Sequence, residues 1–136
     1  EVCKVLTLQP SYIALGHIFP TKTKKMASLP QGIAKMGLQA MMLKDKIPTV
    51  AIGGIKLDKA QEILDAGADC IAVVTAITEA KNHALETQKW IEICRTGPSE
   101  LFGETPQHWH KRQDEQEKRG PVPFEHLDLN PVPYFN

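Results

Sequence analysis

The chain has 136 residues, with 16 basic and 16 acidic side chains, five His, three Cys and a formal net charge of zero. That length suits one domain. A composition of 42% hydrophobic and 24% charged residues excludes full disorder, and zero net charge gives no drive toward a nucleic-acid partner.

The first elements alternate between strand and helix signals. Residues 2–8 read as the end of a helix. Residues 12–15 (Tyr-Ile-Ala-Leu) form a short apolar run that stops at Gly16, and a polar segment, 17–31, follows. Residues 32–44 have helical spacing, with Ile33, Met36, Ala40 and Leu43 on one side. A second buried-strand candidate spans 48–52 and is closed by Gly53-Gly54. Residues 57–66 read as a helix, with Asp58 and Glu62 early, where the positive end of the helix dipole favours acids. Gly67 sits where a helix C-terminus wants a left-handed residue. Residues 70–74 (Cys-Ile-Ala-Val-Val) are a third apolar run. A last helix covers 82–94, with Leu85, Trp90, Ile91 and Cys94 as its candidate core residues. Cys70 reads as a small core residue of its strand, and the four Met (26, 36, 41 and 42) read as core or loop fillers.

Composition breaks near Gly97. Residues 1–96 hold 12 basic and 9 acidic side chains, whereas 97–136 hold 4 and 7. The second part also carries six of the ten Pro and three of the five His. Proline removes backbone donors and blocks helix interiors, so Pro121-Val122-Pro123 and Pro131-Val132-Pro133 read as extended. Only 107–119 has helical character there, with almost no apolar face. The expectation is two parts: 1–96, which is packed, and a Pro-rich extension, 97–136, which is poorly ordered or straps across a partner. His108, Trp109 and His110, with Glu104 and Asp114 nearby, read as a surface histidine pair rather than a metal site, because structural zinc takes four ligands.

Continuous apolar strands separated by helices predict parallel strands covered on both faces, hence an α/β fold. Three βα units do not close a (β/α)₈ barrel, which takes about 250 residues. No apolar run approaches the roughly 20 residues of a membrane span, and residues 1–10 lack a secretory leader layout. Scattered, odd-numbered Cys argue for a reducing compartment, so the expected location is the cytoplasm.

Two segments carry chemistry. Gly53-Gly54 directly follows a strand, and glycine lets backbone N–H groups approach an anion. The turn after the next strand, around Thr75, offers further N–H groups. Together these make either a phosphate cradle or merely a tight βα turn. The segment Phe19-Pro20-Thr21-Lys22-Thr23-Lys24-Lys25 packs two hydroxyls and three ammonium groups into five residues after a strand. It reads either as a solvated basic loop or as a phosphate-binding one. Its place at a strand's C-terminal end favours the second reading, because such ends form the catalytic face of these folds.

Residues 12–24 (Tyr-Ile-Ala-Leu-Gly-His-Ile-Phe-Pro-Thr-Lys-Thr-Lys), Pro30-Gln31-Gly32, Val50-Ala51-Ile52-Gly53-Gly54-Ile55, Ala66-Gly67-Ala68-Asp69 and Ala72-Val73-Val74-Thr75-Ala76-Ile77 closely resemble the C-terminal part of the thiamine phosphate synthase family. Order and spacing match over residues 1–95. The Pro-Thr-x-Thr-Lys stretch is the specific part. His17 and Met26 depart from residues common in the family.

The resemblance implies a (β/α)₈ TIM barrel, of which this chain would hold the last three βα units. It implies a transferase of thiamine biosynthesis. Hydroxymethylpyrimidine diphosphate and thiazole phosphate would give thiamine phosphate and pyrophosphate, with Mg²⁺. The pyrimidine carbon ionises as pyrophosphate leaves, and the thiazole nitrogen then attacks. By resemblance, Lys24 is the catalytic residue that contacts the pyrophosphate. Thr21, Thr23, Gly54, Val74 and Thr75 hold the thiazole phosphate, and Ile52 is pocket wall. The Mg²⁺ ligands would lie on earlier strands, not in this chain. Small-molecule phosphates are then the partners, and neither nucleic acid nor membrane is expected. Either the missing N-terminal part or a homo-oligomer would be needed to complete the barrel, and the chain alone is expected to be an inactive fragment. Two alternatives stay open: a thiazole tautomerase-like protein on the same barrel, and a noncatalytic phosphate-binding or interaction module.

Overall fold

The computed structural model describes residues 2–99 and, beyond them, residues 110, 111, 114, 115 and 118, which are helical and exposed. The elements run α1 (Val2–Leu6), β1 (Ile13–Leu15), α2 (Gly32–Leu43), β2 (Thr49–Ile52), α3 (Leu57–Asp65), β3 (Cys70–Ala72), α4 (Thr75–Thr78) and α5 (His83–Thr96). The remaining residues of the Pro-rich extension, His108 and Trp109 among them, lie outside the described residues.

The fold is mixed α/β, built on a three-stranded parallel sheet in the order β1-β2-β3. Register places Ile13 beside Thr49, and Leu15 beside Ala51 and Ile71. Side chains alternate along a strand, so these residues share one face. That face is the buried one. Ile13, Leu15 and Ala51 join Met36, Ala40 and Leu43 from α2, Ala60 and Ile63 from α3, and Trp90 from α5 in a single core.

The other face carries Ala14, Val50 and Cys70, with Ile52 and Ala72 one step along. Ala14, Ile52 and Cys70 are exposed. Among the described residues the sheet is therefore covered on one face, not on both as its apolar runs predict. Cys70 looks onto this open face, which corrects its reading as a core residue.

The helices end for local reasons. In α3, Asp58 occupies the first turn. Beyond its end, Gly67 (φ +106°) donates to the Leu64 carbonyl at 2.9 Å and Ala68 to that of Ile63 at 3.4 Å. This is the Schellman pattern that a left-handed glycine permits. In α5, the Asn82 side chain accepts from Leu85 N–H at 3.0 Å and caps the helix. Past α5, the Gln61 amide donates to Asp65 Oδ1 and to the Gly97 carbonyl. Ser99 N–H also donates to Asp65 Oδ1, at 2.7 Å, which ties the chain back to α3.

On α5 the inward stripe is Trp90, Ile93 and Cys94. Leu85 and Ile91, expected in the core, are exposed. Position 91 stands about 100° around the helix from Trp90, so burying Trp90 turns it outward. On α2, Met36 is buried while Met41 and Met42 face solvent, and Met26 is also exposed.

Candidate functional site

The first strand does not stop interacting where its ladder ends. Ile18 N–H donates to the Ile52 carbonyl and Phe19 N–H to that of Gly53, both at 3.0 Å. The chain after β1 thus runs alongside the Gly53-Gly54 turn. Both glycines have positive φ, +105° and +64°. A Cβ on Gly53 would strike the backbone of His17, and one on Gly54 would strike the carbonyl oxygens of Phe19 and Pro20. The glycines serve this close approach. The Gly-Gly turn and the basic loop, separate signals in the sequence, are two sides of one contact.

Residues 20–30 leave the sheet and return to α2. Their two ends are joined by Gln31 N–H to the His17 carbonyl and Gly32 N–H to the Ile18 carbonyl, each 3.0 Å. Within the loop, Thr23 N–H donates to Thr21 Oγ1 at 3.2 Å. That short turn presents the following Lys24 toward the ends of the strands. Lys24 forms no ion pair among the described residues.

These segments surround a cavity of about 420 Å³ at the C-terminal ends of the three strands. The site residues implied by the resemblance all line it: Thr21, Thr23 and Lys24 from the loop, Ile52 and Gly54 at the end of β2, and Val74 and Thr75 after β3; Lys22 and Lys25 of the same loop do not. Thr75 is the first residue of α4, so its N–H has no acceptor within that helix. The lining combines an ammonium, two hydroxyls and turn amides with the apolar surface of Ala14, Ile52 and Val73. Such a surface suits an anion attached to an organic group. His17, Met26 and Gly16 line the cavity as well. The sequence marked His17 and Met26 only as departures from a family pattern, although both sit in the same segment as the threonines and Lys24.

The two described thiols are poor nucleophiles. Although Cys70 is exposed as a residue, partial desolvation of its thiol pushes it up; its bond to the Ile71 carbonyl opposes this and the charge of Asp69 adds to it. Burial also raises Cys94, with Cys70 contributing. Both stay protonated in neutral solution.

The family model described as thiamine monophosphate synthase matches residues 1–77, more than half of the chain. The chain belongs to this family. It is 48% identical over 97 residues to the thiamine-phosphate synthase of Cronobacter sakazakii, a match covering 71% of this chain and 46% of that protein. The enzyme of the same name from Salmonella enteritidis is 47% identical over the same shares. Among solved structures, thiamine phosphate pyrophosphorylase from Pyrococcus furiosus superposes with a TM-score of 0.59 at 31% identity, over 69% of this chain and 43% of that one. The chain thus spans about half the length of the family members it matches. All the cavity-lining residues named above fall inside the matched residues.

Proposed function

We propose that residues 1–96 are the C-terminal part of a thiamine phosphate synthase, the last three βα units of a (β/α)₈ barrel, with 97–136 as an extension. The open face of the sheet, with Ala14, Ile52 and Cys70, would then be barrel interior. The observation that carries this reading is the convergence of Thr21, Thr23 and Lys24 with Gly54 and Thr75 on one cavity at the strand ends.

In this reading the complete enzyme joins hydroxymethylpyrimidine diphosphate to thiazole phosphate. Breaking the bond between the pyrimidine methylene and pyrophosphate leaves negative charge on the departing oxygens. Catalysis then calls for fixed positive charge at that place more than for a protein nucleophile. Lys24 supplies the charge. Thr21 and Thr23 donate hydroxyls to the thiazole phosphate, the amides of Gly54, Val74 and Thr75 complete its cradle, and Ile52 lies against the ring. Mg²⁺ would further neutralise the pyrophosphate. By the family resemblance its ligands would lie on earlier strands of the complete barrel. The substrates are small phosphates. No helix among the described residues is long and apolar enough to cross a membrane, and we assign the protein to the cytoplasm.

The test is reconstitution. The 136-residue chain, given both substrates and Mg²⁺, should form no thiamine phosphate. Joined to the remaining portion of a full-length relative, it should turn over. In that chimera Lys24→Ala should lower kcat about 100-fold or more with the melting temperature unchanged. Turnover by the isolated chain would refute the half-site reading, and an active Lys24→Ala chimera would refute the role of Lys24.

A further inference from the structure

His17 is the most enclosed polar side chain of the cavity, only 7% exposed. Its stem packs against Gly53, where a Cβ would collide with His17 Cα and Cβ, and both His17 and Gly54 line the cavity. Among the described residues its ring makes no hydrogen bond. The sealed polar atoms without partners are Gln31 Nε2, Gln39 Oε1, Trp90 Nε1 and Ser99 Oγ; the His17 ring nitrogens are not among them. His17 is one of the residues lining the cavity.

An enclosed polar group without a partner is costly. A ligand that accepts from it removes that cost. Imidazole carries at least one N–H donor in either protonation state. Among the described residues the only other ionisable side chain lining the cavity is Lys24, which comes from the loop. His17 lies beside the Gly53-Gly54 turn.

We propose that His17 is a ligand-binding residue of this cavity, donating an imidazole N–H to the phosphate group of a phosphate monoester held over Gly54. The proposal rests on reading the cavity as a phosphate cradle and adds a side-chain donor to its amides and hydroxyls. His17 would hold the anion beside the Gly53-Gly54 turn while Lys24 is left to the departing pyrophosphate.

The experiment titrates the 136-residue chain with inorganic phosphate at constant pH, following the backbone amides of Gly54 and Thr75 and the ring nitrogens of His17 by NMR. The amides and the ring should shift together with one dissociation constant. His17→Phe should weaken binding about tenfold, with His17→Gln recovering part of the loss. If the amides shift while the ring does not, the cradle stands and the His17 proposal falls. If neither shifts, the cradle reading fails and takes the proposal with it. The ring signals of the unmutated chain decide the matter even if His17→Phe does not fold.

Discussion

Asp69 grips Thr49 through both backbone and side chain. Its Oδ2 accepts from Thr49 N–H at 2.9 Å and from Thr49 Oγ1 at 3.0 Å, while Asp69 N–H donates to Thr49 Oγ1 at 3.2 Å. Both residues are buried. The contact joins the start of β2 to the residue before β3, at the end of the sheet opposite the cavity. Thr49→Val keeps the shape and removes the hydroxyl, leaving the Asp69 N–H without this acceptor. The variant should lose about 1–3 kcal/mol, read as a lower urea midpoint. Phosphate binding should be retained, because the cavity lies at the other end. An unchanged midpoint would show that the clamp adds nothing.

Gly54 and Gly32 separate two costs of adding a Cβ. Both have positive φ, +64° and +75°, but nothing lies within 4 Å of a Cβ at Gly32, whereas Gly54 meets the Phe19 and Pro20 carbonyls. Gly32→Ala should cost only the conformational penalty, about 1 kcal/mol. Gly54→Ala should cost more and also displace the loop bearing Lys24. Equal unfolding midpoints for the two variants would contradict the close approach.

Raised thiol pKa values predict alkaline sensitivity. Partial desolvation is the main cause at both Cys70 and Cys94. The folded chain holds these protons more tightly than the unfolded chain, so their contribution is intact below about pH 8.5 and is lost as pH rises through the folded-state values. A Cys70→Ala/Cys94→Ala variant should show a shallower fall in melting temperature above that pH than the parent. Parallel curves would remove the thiols from the account.

The cap on α5 is also testable. Asn82→Ala leaves the Leu85 N–H without the side-chain oxygen at 3.0 Å. The expected loss is about 1 kcal/mol, measured by thermal or urea unfolding. Asn82→Asp should retain most of the stability, since an aspartate caps equally well.

Element order was legible because apolar runs and glycine stops coincide. Gly16 and Gly53 follow the ladder ends of β1 and β2, and Gly67 closes α3 as its position suggests. The cavity-lining residues were legible through one loop and two turns. What the sequence could not convey is which side of an apolar residue faces another element. Cys70 sits in an apolar run, but register turns it onto the open face. Leu85 and Ile91 are as apolar as Trp90, yet burying one large ring sets the rotation of the whole helix. His17 escaped notice as a cavity residue because its position depends on Gly53, 36 positions further along.

The loop between Pro20 and Pro30 is pinned at both feet, by His17 with Gln31 and Ile18 with Gly32. A span anchored in this way behaves as an exchangeable cassette. Its threonines and lysines can be swapped, lengthened or shortened while the scaffold beneath keeps its register, so new ligand preferences could arise here without rebuilding the sheet.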